Sequence, residues 1–243
     1  MSEKLKNNKS NLSRKQFFLI FLAFSFHLIG IISSLFRPKR DVDFHLTFHL
    51  LRFFSWWSVH SSILTILAAA ILIYKKKITP TSYFSQLLIL VTTVYNLVTF
   101  GFISAYFLTG KIKSYGFCLD LQLFTWHFAA PFLLILYFYF FARIDKLKEK
   151  LWKILMTLSL ALIFPIFYFL YAFILAKVHR SNPEGSLFPY MEQYPYYIFE
   201  WIIERKWYFI ITNLLASSLV FIFLCCLTLL TKNILDKKLK KLT

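Results

Sequence analysis

Apolar residues in this chain neither alternate nor recur once per helical turn. They run in unbroken blocks. Six stand out: Phe17–Leu35, Phe53–Tyr74, Phe84–Leu108, Cys118–Phe141, Ile154–Ala176 and Tyr208–Thr231. Roughly 20 residues at ~1.5 Å each cross a hydrocarbon core of about 30 Å, and each block reaches that length. All are too long for strands, and the alternation of a barrel is missing. The pattern predicts an all-α integral membrane protein with six transmembrane helices. The first block runs past the h-region of a signal peptide and ends in Phe36-Arg37-Pro38-Lys39-Arg40, with no small-residue cleavage site, so it reads as a span.

Composition agrees. Thirty Phe and fourteen Tyr exceed what a soluble core of this size needs, and the mean hydropathy is +0.61. A net charge of +17 would suit nucleic acid in a soluble protein. Here its distribution says otherwise. Of 28 Lys and Arg, 18 lie in the two tails and the even-numbered loops, and only 10 in the odd-numbered loops, which also carry more of the acids. The positive-inside rule then places both termini in the cytoplasm of a multi-pass cell-membrane protein, with the odd loops outside and no nucleic-acid partner. The chain divides into a basic tail (1–16), a six-helix domain (17–231) and a second basic tail (232–243), whose Lys237, Lys238, Lys240 and Lys241 suit anionic lipid headgroups. Cys118, Cys225 and Cys226 have no metal-binding spacing and read as small apolar helix residues. No metal or cofactor is expected.

Polar groups inside the blocks carry the functional information, because a hydrogen-bonding group in hydrocarbon needs a partner and so faces the bundle interior. In the second block, at 100° per residue, Ser55, Ser58, Ser61, Ser62 and Thr65 fall within about 120° of one another. His60 lies on nearly the opposite side. Such a stripe serves close helix packing or lines a cavity. In the fourth block His127 precedes Pro131, whose ring opens the turn and whose missing N–H frees the carbonyl of residue 127. An intramembrane histidine is either a functional group or a bonded structural one. Asn96, Asn213, Pro165 and the outer-loop run YPYYIFE (Tyr194–Glu200) complete the set. Ser58, His127, Asn213 and the loop share the outer half of the bilayer, which predicts an outward cavity at acyl-chain depth.

Five stretches taken in order resemble a known family: LLRFFSWWSVHSSILTIL in the second block, HFAAP (His127 to Pro131), FPIFYFLY, YPYYIFE, and Asn213 in the last block. They look like the motifs of bacterial six-span membrane proteins related to the androgen-induced and androgen-dependent transmembrane proteins of animals. The likeness covers about Leu51 to Leu230. The animal members are intramembrane threonine hydrolases that cleave fatty-acid esters of hydroxy fatty acids with one Thr and one His. The resemblance implies that Ser58 takes the place of the Thr as nucleophile and His127 that of the His as general base. The family's Ser-Asn pair becomes Ser61-Ser62 here. Ser62, Asn213, Tyr196 and Glu200 would contact a hydrophobic, lipid-like substrate, with Asn213 or a loop Tyr as oxyanion donor.

Two readings follow. One is a hydrolase of a lipid ester, acting by acyl transfer from an outer-leaflet cavity. The other is a non-catalytic binding or scaffolding bundle with the same fold, which the Thr-to-Ser change and the lost Asn favour. A transporter fits less well: the spans hold no acid–base pair apart from histidines, no glycine-broken helices and no detectable inverted repeat.

Overall fold

A computed structural model describes residues 2–35, 57–74, 82–108, 121, 124–181 and 207–242. Long helices account for nearly all of them, and no strand occurs among the described residues: α1 (Ser2–Leu35), α2 (Trp57–Tyr74), α3 (Tyr83–Leu108), a π turn (Thr125–Ala129) running into α4 (Ala130–Phe141), α5 (Leu151–Ser181) and α6 (Trp207–Leu242). Five stretches are long and apolar enough to cross a membrane: Arg14–Leu35, Trp57–Tyr74, Tyr83–Gly101, Leu151–Tyr171 and Ser218–Leu239. The predicted fourth block is represented by the shorter apolar helix Thr125–Phe141, and the start of that block lies largely outside the described residues. The chain is a multi-pass helical membrane protein in this coarser sense. Exposed Phe18, Ile29, Leu155, Phe167, Leu219 and Phe223 suit a lipid-facing surface.

α1, α2, α3 and α4 form a closed ring in which α1 packs on α2 and α4, and α3 packs on the same two. Buried Ala23, Ala68 and Ala69 let the backbones approach, and Leu90, Val94, Leu134 and Phe138 fill the space between them. α5 and α6 pair with each other beside this ring, and α6 meets α3. The joint is aromatic. Trp57 lies 5.1–5.3 Å, centroid to centroid, from the rings of Tyr95, Phe164, Tyr168 and Phe221. Pro165 sits inside α5 and cannot donate to the carbonyl of Ala161. The Tyr95 hydroxyl, from α3, donates to that carbonyl at 2.8 Å. A neighbouring helix thus repairs the bond that the proline removes, which is how a membrane helix tolerates one.

One end of the bundle is clasped by polar contacts. Gln86, at the start of α3, holds the loop after α4: its Nε2 donates to Asp145 Oδ1 at 2.8 Å and its Oε1 accepts from the Lys146 N–H at 2.9 Å. Lys148 Nζ donates to Asn233 Oδ1 at 2.8 Å, and Lys232 Nζ donates to the Tyr139 carbonyl at 2.9 Å and to Asp236 at 2.6 Å. Partial burial pushes the Lys148 ammonium below the usual lysine range, against the opposing pull of Asp236. These contacts show that α3 starts where α4 ends.

Candidate functional site

The serine stripe is buried as its periodicity requires: Ser58, Ser61, Ser62 and Thr65 all face the ring interior. His60 points away and lies among the rings of Phe164, Tyr168 and Tyr171. Ser55 lies outside the described residues. Along α2 the stripe knits to α3. Ser61 and Thr99 hydroxyls are 3.3 Å apart, and Asn96 Nδ2 donates to Thr65 Oγ1 at 2.9 Å and to the Thr92 carbonyl at 2.9 Å. Serine and threonine hydroxyls also return to their own helix: Ser61 donates to the Ser58 carbonyl at 3.0 Å and Thr65 to the Ser61 carbonyl at 2.8 Å.

Ser62 turns the other way, toward α1 and the π turn. Its Oγ is 2.8 Å from His27 Nδ1 and accepts from Trp126 Nε1 at 2.7 Å. Indole N–H can only donate. Ser62 Oγ keeps a second lone pair, so its contact with His27 Nδ1 runs in either sense with the imidazole tautomer; in the Nε2–H tautomer the Ser62 hydroxyl donates to His27 Nδ1. His27 is 1% exposed and Ser62 1% exposed, so the pair is sealed from water. Asn96 stands beside the His27 ring. Its amide nitrogen is committed to Thr65 and Thr92, so its oxygen is the atom free to meet His27 Nε2. Both atoms are buried, and neither makes a hydrogen bond among the described residues. Ser62, His27 and Asn96 thus form an ordered hydroxyl–imidazole–amide series drawn from α2, α1 and α3.

His127 completes the cluster. It is 4% exposed, stacks on Trp126 at 4.4 Å and 24°, and is an electrostatic neighbour of His27. Its Nδ1 is buried without a hydrogen-bond partner. The opening expected before Pro131 takes the form of a π turn, in which the Ala130 N–H reaches back to the Thr125 carbonyl. The widened turn lets consecutive residues Trp126 and His127 both point inward, a use of π turns that is common at functional sites. Trp126 lies flat on α1 at Gly30: a Cβ there would come within 2.3 Å of Trp126 Cγ. Only glycine leaves room for the indole that reaches Ser62. A small apolar patch of Val59, Trp126, Ile31, Leu35 and Ile63 covers the cluster.

Of the residues singled out from sequence, Ser58, Ser62 and His127 are described and buried in one region. The structure places no hydrogen bond between Ser58 and His127; the hydroxyl–imidazole contact is made by Ser62, one turn further on, with His27. Tyr196, Glu200 and the side chain of Asn213 lie outside the described residues. His27 was not singled out, although an ionisable group in mid-block is a signal in itself. At ~1.5 Å per residue His27 is about 12 Å from the end of α1 and Ser62 about 7 Å from the start of α2, so the cluster sits toward the end opposite the Gln86 clasp. Among the described residues no group of three or more His, Cys, Asp or Glu is placed to hold a metal. No family model, curated protein or solved structure matches the chain.

Proposed function

We propose that the chain is an intramembrane hydrolase that cleaves a fatty-acid ester by acyl transfer, with a serine nucleophile and a histidine general base. The observation that carries this reading is the buried contact of 2.8 Å between Ser62 Oγ and His27 Nδ1, within the reach that proton abstraction requires. His27 takes the Ser62 proton as the oxygen attacks the ester carbonyl, then returns it to the leaving alkoxide. Asn96 orients the ring from its far side. Trp126 Nε1, donating to Ser62 Oγ, stabilises the negative charge that develops on that oxygen as its proton leaves. The motif resemblance assigns the roles to Ser58 and His127; in this geometry Ser62 and His27 are the better-placed pair, with His127 beside them.

The same reading takes the Thr125–Phe141 helix as the inner part of a sixth span and puts both termini in the cytoplasm, with the Gln86 clasp and the basic tails against anionic headgroups. The site then opens toward the outer leaflet, and a hydrophobic lipid-like substrate enters past the Trp126 patch. A second reading, a non-catalytic bundle, draws support from the 1% exposure of Ser62 and from the Trp126 bond that occupies it. Ester turnover separates them. Purified protein in lipid nanodiscs is given long-chain fatty-acid esters of hydroxy fatty acids. The hydrolase reading expects release of free fatty acid that is lost in Ser62→Ala and His27→Phe and kept in Ser58→Ala. Equal background release from all four proteins leaves the bundle reading standing.

A further inference from the structure

An acyl group received by Ser62 would sit where the packing keeps water out. Below Ser62 and His27, toward the Gln86 clasp, the ring interior is filled by Ile20, Ala23, Leu90, Val94, Leu134 and Phe138, all buried. On the other side Val59 and Trp126 are buried in the patch that Ile31, Leu35 and Ile63 complete. Ile29, Ile32 and Phe124, close to these in sequence, are exposed apolar side chains that suit lipid rather than water. The hydroxyls between α2 and α3 are taken up by one another and by helix carbonyls: Ser61 by Thr99 and the Ser58 carbonyl, Thr65 by Asn96 and the Ser61 carbonyl. Among the described residues, the surroundings of Ser62 are therefore apolar side chains and occupied hydroxyls.

Acyl transfer through a serine has two halves. In the first, Ser62 takes the acyl group and the first alcohol leaves. In the second, an acceptor hydroxyl must give its proton to His27 and attack the acyl carbonyl. Water is the acceptor in a hydrolase, but a site closed to water protects its intermediate from hydrolysis, and the bilayer core supplies no bulk water. An alcohol carried by a lipid reaches the site by the same apolar route as the ester. His27 stands about 12 Å from the end of α1, at acyl-chain depth. A hydroxyl on an acyl chain, or the free hydroxyl of a diacylglycerol, can come to that level, whereas a small soluble alcohol stays with the water.

We infer that Ser62 passes its acyl group to the hydroxyl of a second lipid in preference to water, so that the site works as a transacylase. This rests on the Ser62–His27 reading above and names the acceptor for it. The step balances atom by atom. The lipid O–H bond breaks as His27 Nδ1–H forms, and the lipid oxygen bonds to the acyl carbonyl carbon. The bond from that carbon to Ser62 Oγ then breaks, and Ser62 Oγ takes the proton back from His27. One ester replaces another, and nothing is oxidised or reduced. The 2.8 Å contact between Ser62 Oγ and His27 Nδ1 serves both halves. Where no lipid alcohol is at hand, water that leaks in completes the turnover as hydrolysis.

The test gives the full chain, in lipid nanodiscs, the same ester substrate with a 13C-labelled acyl group. One sample carries a hydroxy fatty acid of another chain length in the bilayer, a second a diacylglycerol, and a third has glycerol in the buffer. Mass spectrometry follows the released alcohol, the labelled free fatty acid and any labelled new ester. In one or both lipid-alcohol samples the label should appear mainly as new ester, rising with the acceptor's mole fraction at the expense of free acid. The glycerol sample should show none, and Ser62→Ala should abolish it. Released alcohol with all the label in free acid, at every acceptor level, would overturn the transfer and leave the hydrolase standing. A folded protein that releases no alcohol would overturn both. Ile31→Ser opens the apolar patch while leaving Ser62 and His27 in place. The ratio of free acid to new ester, read within one sample and so independent of the folded fraction, should then rise several-fold; an unchanged ratio would overturn the exclusion of water by this patch.

Discussion

Gly30→Ala is the smallest change that reaches the site. The added Cβ would stand 2.3 Å from Trp126 Cγ and 2.6 Å from Cδ1 and Cδ2. These atoms are at the root of the indole, so no flexible tip can swing aside. Either the ring leaves Ser62 or α1 and α4 part by roughly 1 Å, a strain that costs about 1–3 kcal/mol in packed cores. Losing the Trp126–Ser62 hydrogen bond adds about 1 kcal/mol, and the better helix propensity of alanine returns about as much. The net loss is therefore about 1–3 kcal/mol. At about 2–4 °C per kcal/mol for a chain of this size, Tm falls by several degrees. Gly101→Ala is the matched control: nothing lies within 4 Å of its Cβ, so only the propensity gain of up to ~1 kcal/mol remains. Thermal unfolding of both variants in one detergent reads the difference. A Gly30→Ala protein as stable as Gly101→Ala would refute the seating of Trp126 on α1. Trp126→Ala should also blunt the Gly30→Ala penalty, since coupled neighbours are not additive.

Other perturbations test the frame around the site. Tyr95→Phe strips the donor from the Ala161 carbonyl and should cost about 1–2 kcal/mol; in a Pro165→Ala background, where the helix can make its own bond, the loss should shrink, and an undiminished loss would sink the repair argument. Gln86→Leu removes both grips on the loop after α4, so amide exchange at Lys146 should speed up while α2 amides stay protected; unchanged exchange would mean the clasp does not hold the loop.

How far the sequence foretold this depends on what periodicity can encode. A helical repeat tells which face of α2 is polar, and Ser58, Ser61, Ser62 and Thr65 are buried together accordingly, with His60 on the far side. It does not tell which residue of a neighbouring helix stands at the same height. Ser58 and Ser62 lie one turn apart on one stripe, and only the level of His27 and Trp126 favours Ser62. His27 itself was hidden because the apolar block of α1, Phe17–Leu35, carries only scattered serines and no polar stripe to mark it. Pro131 announced an opened turn near His127, but the register of that opening, a π turn that brings Trp126 inward too, comes from packing against Gly30. The repair of Pro165 by Tyr95 is likewise a contact between distant segments that no local pattern carries.

Fluorophosphonate labelling followed by peptide mapping asks which hydroxyl is activated. An adduct on Ser62 that disappears in His27→Phe and survives Ser58→Ala is the expected result. An adduct on Ser58 that needs His127 but not His27 would contradict the Ser62–His27 assignment, and a folded protein that takes no label on either serine would contradict the hydrolase itself.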